Sequence, residues 1–372
     1  MKILHVNKYY SPWIGGIERI VEDLSNNLQA SHKVTTLVCN TAGKPTTIDQ
    51  VGNVEVERAH TWFTLLRLPI STTFFSLFKK HAANADLFLI HHPFPLGFLA
   101  YLLFGKKKPL IIFYHSDVVK QTFTAALLAP LFKSTLKHAS QIIVTSNELK
   151  QNSSLLTDFQ DKTTVIPLWI NNETLIKPIS IESPLFTNHN PNLPLILAVG
   201  RLVSYKGYDV LLQAMRNVSN AQLLIIGEGR ETNSLKELIE QHNLNDRVFV
   251  IPPVAHLAPF YHSADIFVLP SVTPAEAFGL TQLEAMTCGV PVINTSLPTA
   301  VPTVSLDKKT GLTVEPGNAD ELARALQTLI DNPSLRELYG NAGKERARTH
   351  FSKQQSMERI NEVINLSDVN DR

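Results

Sequence analysis

Short apolar runs and helix-period segments alternate along this chain in two series, and that alternation leaves few folds open. In the first series, strand-like runs lie at Ile3–Val6, Val34–Val38, Val54–Glu57, Leu87–Ile90, Leu110–Tyr114, Ile142–Thr145 and Thr164–Ile166. Helical stretches such as Ile17–Leu28, Thr72–Ala83, Gly97–Phe104 and Thr122–His138 fall between most of them. Runs this rich in Ile, Leu and Val fit parallel strands covered by helices on both faces. The pattern pauses over 173–194, where Pro178, Pro184, Pro191 and Pro194 stand among Ser and Asn, and this stretch reads as a linker. It resumes with Ile196–Val199, Gln222–Ile226, Val248–Ile251, Ile266–Leu269, Val290–Ile293 and Leu312–Val314. The helices between them are Gly207–Met215, Glu231–His242, Leu257–Ser263, Leu280–Thr287 and Ala319–Ile330, and the tail from Pro333 is helical and polar. The expectation is two doubly wound α/β domains, 1–172 and 195–352. Ligands of such sheets bind beyond the carboxyl ends of the strands, so the two domains would face each other across a deep cleft.

A length of 372 residues suits two domains of ordinary size. A hydrophobic content of 44% with a formal net charge of +1 describes a soluble globular protein and excludes a general nucleic-acid binder. The balance hides an asymmetry: residues 1–172 hold 17 Lys+Arg against 11 Asp+Glu (+6), and the remainder 17 against 22 (−5). Eight lysines lie between Lys79 and Lys137, with only Asp86 and Asp117 among them and Lys106-Lys107-Lys108 at the centre. Cys39 and Cys288 sit in apolar segments and read as reduced thiols of a cytoplasmic protein. Met1-Lys2 runs straight into an apolar strand, so no secretory signal is visible. The most apolar run, Leu87 to Phe104, is broken by His91-His92-Pro93 and Pro95 and reads as strand, turn and helix rather than a membrane span.

The segment from Pro270 to Ile293 carries the most chemistry. Glu276 and Glu284 stand eight positions apart around Phe278-Gly279-Leu280, between one apolar strand and the next. Gly279 opens a helix, where a ligand can lie close to the backbone and free N–H groups favour a phosphate. One carboxylate before that helix and one inside it would grip hydroxyls on either side of the phosphate, as a nucleotide-sugar requires. Two solvated glutamates are the plain alternative, but Glu284 falls among Leu280, Leu283 and Met286.

Four further segments follow predicted strands. Gly15-Gly16 opens a helix and permits close approach to an anion, without completing a dinucleotide fingerprint. His115-Ser116-Asp117 leaves a buried strand, either to line a cleft or to cap a helix. Gly200 to Gly207 brings Arg201 and Lys206 out of one strand–helix connection, enough charge to neutralise a diphosphate where no Asp-x-Asp is present for a bridging metal. Gly227-Glu228-Gly229 serves either a close approach to a base or ribose, or an ordinary strand-to-helix turn. His91 and His92 are further candidates for the cleft. There is no metal-ligand spacing, Gly-x-Ser-x-Gly elbow or Walker lysine loop.

In this order and spacing, these residues resemble the retaining glycosyltransferases of family 4, which have the GT-B fold of two Rossmann-like domains. The resemblance implies that the second domain holds the nucleotide-sugar, UDP- or GDP-linked, and the first, basic domain the acceptor. Arg201 and Lys206 would contact the diphosphate, Glu284 the ribose and Glu276 the transferring sugar, with backbone N–H groups from Phe278, Gly279 and Leu280. Gly15 and Gly16 would close over the phosphates, Gly227 and Glu228 would join the donor side, and His115 would face the sugar. His91, His92 and Asp117 fall on the acceptor side. The final helix, about 353–372, is expected to pack back on the first domain, and no metal or other cofactor is expected. The implied activity is metal-independent, retaining transfer of a hexose-type sugar to a glycan hydroxyl, the acceptor being lipid-linked, in cell-surface polysaccharide or lipopolysaccharide synthesis. The implied location is the cytoplasm, with peripheral contact to anionic lipid through the Lys79–Lys137 region. Where many family members carry Gly-Gly and then Pro-Glu after the strand at Val290–Ile293, this chain has Asn294 to Pro302. Transfer to a soluble sugar or metabolite, a two-domain Rossmann oxidoreductase and a non-catalytic sugar-nucleotide binder remain the rival readings.

Overall fold

The computed structural model describes residues 1–13, 15–66, 68–117, 122–170, 175 and 190–369. The chain divides into two compact units, residues 1–168 with 354–372, and residues 169–353. Most of the expected linker at 173–194 lies outside the described residues.

The first unit is built on β1 (Lys2–Val6), β2 (Lys33–Ala42), β3 (Thr47–Val51) and β4 (Val54–Thr61), followed by a separate hairpin of β5 (Phe63–Leu65) and β6 (Leu68–Ile70). The main sheet continues with β7 (Leu87–His92), β8 (Leu110–Tyr114), β9 (Gln141–Val144) and β10 (Thr163–Val165). Its order is β10-β9-β8-β7-β1-β2-β4-β3, parallel throughout except for β3 against β4. β7 and β8 are buried over their whole length, which is why their sequences are apolar or aromatic but for His91 and His92 at the end of β7. Phe74, Phe78, Phe88, Phe98 and Phe132 fill the core on one side. The helix Lys353–Val369 joins this unit: Ser356 Oγ donates to the Pro167 carbonyl at 3.1 Å and Arg359 Nη2 to that of Val165 at 2.6 Å.

The second unit contains β11 (Leu195–Val199), β12 (Gln222–Ile226), β13 (Val248–Ile251), β14 (Ile266–Val268), β15 (Val292–Thr295) and β16 (Gly311–Val314). All pair in parallel, in the order β13-β12-β11-β14-β15-β16. The chain builds outward from β11 to one side and then returns to build from β14 on the other. Their junction is a topological switch point, where the connections leave in opposite directions and open a crevice. β1 and β7 form the corresponding junction in the first unit.

Two elements escape the sequence pattern. β3 has the polar sequence Thr-Ile-Asp-Gln-Val, and the β5–β6 hairpin keeps its large apolar side chains exposed. Neither shows the burial that makes a strand legible. β15 starts at Val292 rather than Val290, because Pro291 has no N–H to give to a ladder.

Candidate active site

β11 ends in the loop Gly200 to Gly207, and β14 in the loop Pro270 to Gly279, so the switch point brings the two together. Gly207 makes the contact possible. It has a φ of +67°, and a Cβ there would lie 2.1 Å from the Pro270 carbonyl oxygen. Val272 N–H donates to the Tyr205 carbonyl at 2.9 Å and locks the loops in register.

The result is a buried ion pair. Lys206 Nζ stands 2.5 Å from Glu276 Oε2, which also accepts from Ser271 Oγ at 3.0 Å. Each of the two residues is only 8% exposed. Burial alone would lower the lysine's proton affinity, but attraction to Glu276 and to the Tyr208 and Tyr205 phenols outweighs it, and the ammonium is held above its usual range. Arg201 is exposed nearby and donates to Tyr205 Oη at 3.3 Å. One cation is thus committed to a carboxylate and a second faces solvent.

Beyond Glu276, Phe278 is buried edge-on against Phe351, with ring centroids 5.9 Å apart. Gly279, at φ +75°, turns the chain into the helix Leu280–Thr287. Phe278 therefore anchors the turn, and Gly279 and half-buried Leu280 present the helix start. Glu284 lies inside the helix, 6% exposed, and accepts from Tyr261 Oη at 2.7 Å.

The loop that departs from the family pattern is organised by Asn294. Its Nδ2 donates to Val301 O at 2.8 Å and to Gln282 Oε1 at 3.1 Å, while Gln282 Nε2 donates to Phe278 O at 2.8 Å. Ala300 N–H then donates to Ala277 O at 3.0 Å, tying this loop to the Glu276 turn. Sequence reasoning passed over Ser271, Gln282 and Asn294. The available signal was polar residues at strand ends and, for Gln282, beside Leu283 on a largely buried helix.

Gly227-Glu228-Gly229 turns out to pack against protein backbone. A Cβ on Gly227 would sit 1.9 Å from the Gly200 carbonyl oxygen, and one on Gly229 would sit 2.1 Å from that of Leu202. Leu202 N–H donates to Glu228 O at 2.9 Å, so this turn supports the Arg201 loop from behind. Glu228 itself is exposed.

In the first unit, Gly15 is extended and Gly16 begins the helix Gly16–Leu28, with Ile14 outside the described residues. The histidines lie deep. His91 and His92 are each 1% exposed and His115 4%. His91 Nδ1 is 2.7 Å from His115 Nε2, and His91 Nε2 is 2.5 Å from His5 Nε2. His92 stacks on Tyr114 at 4.1 Å and meets Phe132 edge-on. Burial, with a smaller push from His115, brings His5 and His92 down to about 3; burial alone does so for His115. His91 is driven well below its ordinary value by the same burial and by its histidine neighbours. All four are neutral at physiological pH.

The sequence expectation put His91 and His92 on the acceptor side, but both are interior, because every residue of β7 is covered by neighbouring strands and helices. Asp117 is half-buried, and its Oδ1 accepts from Ser153 Oγ at 2.7 Å and from Tyr114 Oη. The structure therefore gathers Arg201, Lys206, Glu276, Phe278, Gly279, Leu280 and Glu284 around the second unit's switch point. Gly15, Gly16, His115 and Asp117 follow strands of the first unit.

Residues 182–346 match the family model described as glycosyl transferases group 1, and residues 14–174 match that of glycosyltransferase family 4. The chain is 28% identical over 362 residues to the D-rhamnosyltransferase WbpZ of Pseudomonas aeruginosa, covering 95% of this chain and 92% of the relative. It is 26% identical over 367 residues to the O-antigen chain mannosyltransferase C of Escherichia coli, covering 95% of each. Among solved structures, sucrose-phosphate synthase from Thermosynechococcus elongatus superposes with a TM-score of 0.83 at 24% identity, over 98% of each chain.

Proposed function

From the premise that this chain belongs to the family 4 glycosyltransferases with the GT-B fold, we propose which sugar chemistry it performs and with which residues. It moves a hexose-type sugar, with retention and without a metal, from a UDP- or GDP-linked donor to a glycan hydroxyl. The observation that carries this reading is the buried Lys206–Glu276 pair beside exposed Arg201, at the switch point where an α/β sheet takes its ligand.

The leaving nucleoside diphosphate gains negative charge as the sugar becomes oxocarbenium-like. Arg201, Lys206 and the helix start at Gly279 stabilise that charge. Lys206 is already desolvated and already ordered by Glu276, so little reorganisation is needed when phosphate arrives. Glu276 binds the sugar hydroxyls, and Glu284, steadied by Tyr261, binds the ribose. The leaving phosphate takes the acceptor's proton on the face from which it departs. A covalent glycosyl-enzyme trapped during turnover would refute that route.

The relatives named above are a D-rhamnosyltransferase and an O-antigen chain mannosyltransferase, which supports a cell-surface polysaccharide as the product; the acceptor we propose for it is lipid-linked. A peripheral position on the inner face of the cytoplasmic membrane fits the first unit. Leu99, Leu103 and Phe104 are exposed among Lys79, Lys80, Lys106 and Lys107, and Lys79 Nζ lies 5.9 Å from the Phe104 ring centre. Lys108 turns inward and donates to the Ala82 and Ala83 carbonyls at 3.3 Å. Among the described residues, no helix is long and apolar enough to cross a membrane.

A thermal-shift screen against UDP- and GDP-hexoses with EDTA present, and NAD(P) as control, tests the donor. At roughly 100 times the dissociation constant, a ligand adds about 2.7 kcal/mol of stability. A shift with a sugar nucleotide supports the reading; a shift with NAD(P) alone overturns it.

A further inference from the structure

Three of the four buried histidines of the first unit form a connected line rather than a cluster. His5, on β1, places Nδ1 2.7 Å from Ser25 Oγ, and Ser25 Oγ lies 3.2 Å from Thr36 Oγ1. His5 Nε2 meets His91 Nε2 at 2.5 Å, and His91 Nδ1 meets His115 Nε2 at 2.7 Å. The His91 and His115 rings are within 11° of parallel with centroids 5.0 Å apart, and the His5 and His91 rings are tilted by 39° with centroids 4.7 Å apart, both compatible with N–H···N contact. The line ends at His115 Nδ1, a buried nitrogen without a partner among the described residues.

We propose that Ser25, His5, His91 and His115 form a neutral hydrogen-bond relay in which His5 and His91 are positioning residues that set which tautomer His115 offers to a substrate hydroxyl. The inference rests on the transferase reading and on His115 facing the sugar, as the family resemblance implies.

Proton counting carries the argument. A neutral imidazole has one N–H and one bare nitrogen. Two N–H···N bonds through a neutral His91 must therefore run in the same direction. If His5 gives its Nδ1 proton to Ser25, His91 gives to His5, His115 gives to His91, and His115 Nδ1 is bare. If Ser25 gives to His5, every bond reverses and His115 Nδ1 carries the proton. No proton is gained or lost in either arrangement, and no charge is buried. Depressed proton affinity at all three rings agrees with neutrality throughout. A buried polar atom left unpaired is costly, so a ligand hydroxyl reaching His115 Nδ1 would regain that interaction.

The test uses the full-length protein labelled with 15N-histidine, and reads ring nitrogens at neutral pH. The relay predicts one protonated and one bare nitrogen on each of His5, His91 and His115, all pointing the same way. His5→Phe should then alter the His115 ring signals, although the two rings do not touch, and His5→Gln, which keeps an amide near the Nε2 position, should restore them. Opposed tautomers, an imidazolium at His91, or His115 signals indifferent to His5→Phe would overturn the relay.

Kinetics then test the positioning role. His5→Phe and His91→Phe should each lower kcat by roughly three- to tenfold with little change in donor KM, the worth of one hydrogen bond. The double variant should be no slower than His91→Phe, because links in series fail together. Multiplying losses, or full activity in both, would refute positioning. Full activity of His115→Ala alongside an intact wild-type ring pattern would instead remove His115 from the site and leave the relay as architecture.

Discussion

Acid should unfold the first unit long before the second. All four buried histidines of the described residues, His5, His91, His92 and His115, lie in the first unit. Their folded-state pKa values sit at about 3 for His5, His92 and His115, with burial as the main cause, and His91 lies well below its ordinary value. In the unfolded chain each returns to about 6.5, so below that pH the unfolded state binds more protons than the native one. The stabilising contribution of neutral burial is thus complete above pH 6.5 and is lost as pH falls toward 3. One unit below 6.5, each ring costs about 1.4 kcal/mol, and four rings about 5 to 6 kcal/mol. That is comparable with the whole stability of many domains. The window at about pH 5.5 is also above the ordinary range of carboxylates, so histidine dominates there. Hydrogen exchange on the full chain at about pH 7.5 and pH 5.5 separates the units. Protection in β1, β7 and β8 should fall steeply, while β11, β12 and β14 hold theirs. Equal protection of the first unit at both pH values, or equal loss in both units, would refute the reasoning.

Other substitutions probe single links. Lys206→Met strands Glu276 as a buried unpaired carboxylate, and should cost about 3–5 kcal/mol in a denaturation measurement. In steady-state kinetics the same change should slow transfer by on the order of a hundredfold or more. Gly227→Ala drives a Cβ to 1.9 Å from the Gly200 carbonyl oxygen, so it should displace the Arg201 loop and weaken donor binding in titration calorimetry. His92→Phe should raise the melting temperature, since neither buried ring nitrogen of His92 has a partner among the described residues and removing them relieves about 1–3 kcal/mol. Vesicle sedimentation should show Lys106→Glu with Lys107→Glu weakening binding to anionic lipid at low salt, by about 1 kcal/mol per lysine lost.

The architecture was readable because parallel strands covered on both faces are apolar at nearly every position, as in Leu87–Ile90 and Leu110–Tyr114. Gly279 and the Lys206 loop were readable for a related reason: a left-handed turn and a charged strand–helix connection both leave a local mark. What stayed hidden depended on packing across distant segments. Nothing in Gly227-Glu228-Gly229 says that its glycines accommodate the Gly200 and Leu202 carbonyls. Nothing local says that Lys206 and Glu276, 70 positions apart, pair with each other. The histidines were noticed, but strand alternation alone does not tell an interior face from a cleft-lining one when both faces are buried.

The most direct test follows the sugar itself by proton NMR, with a UDP- or GDP-hexose donor, a glycan acceptor and EDTA in the tube. The first-formed glycoside should keep the donor's own anomeric configuration, at a rate that Lys206→Met nearly abolishes. An inverted anomer, or transfer that appears only after a divalent metal is added, would contradict retaining, metal-independent transfer.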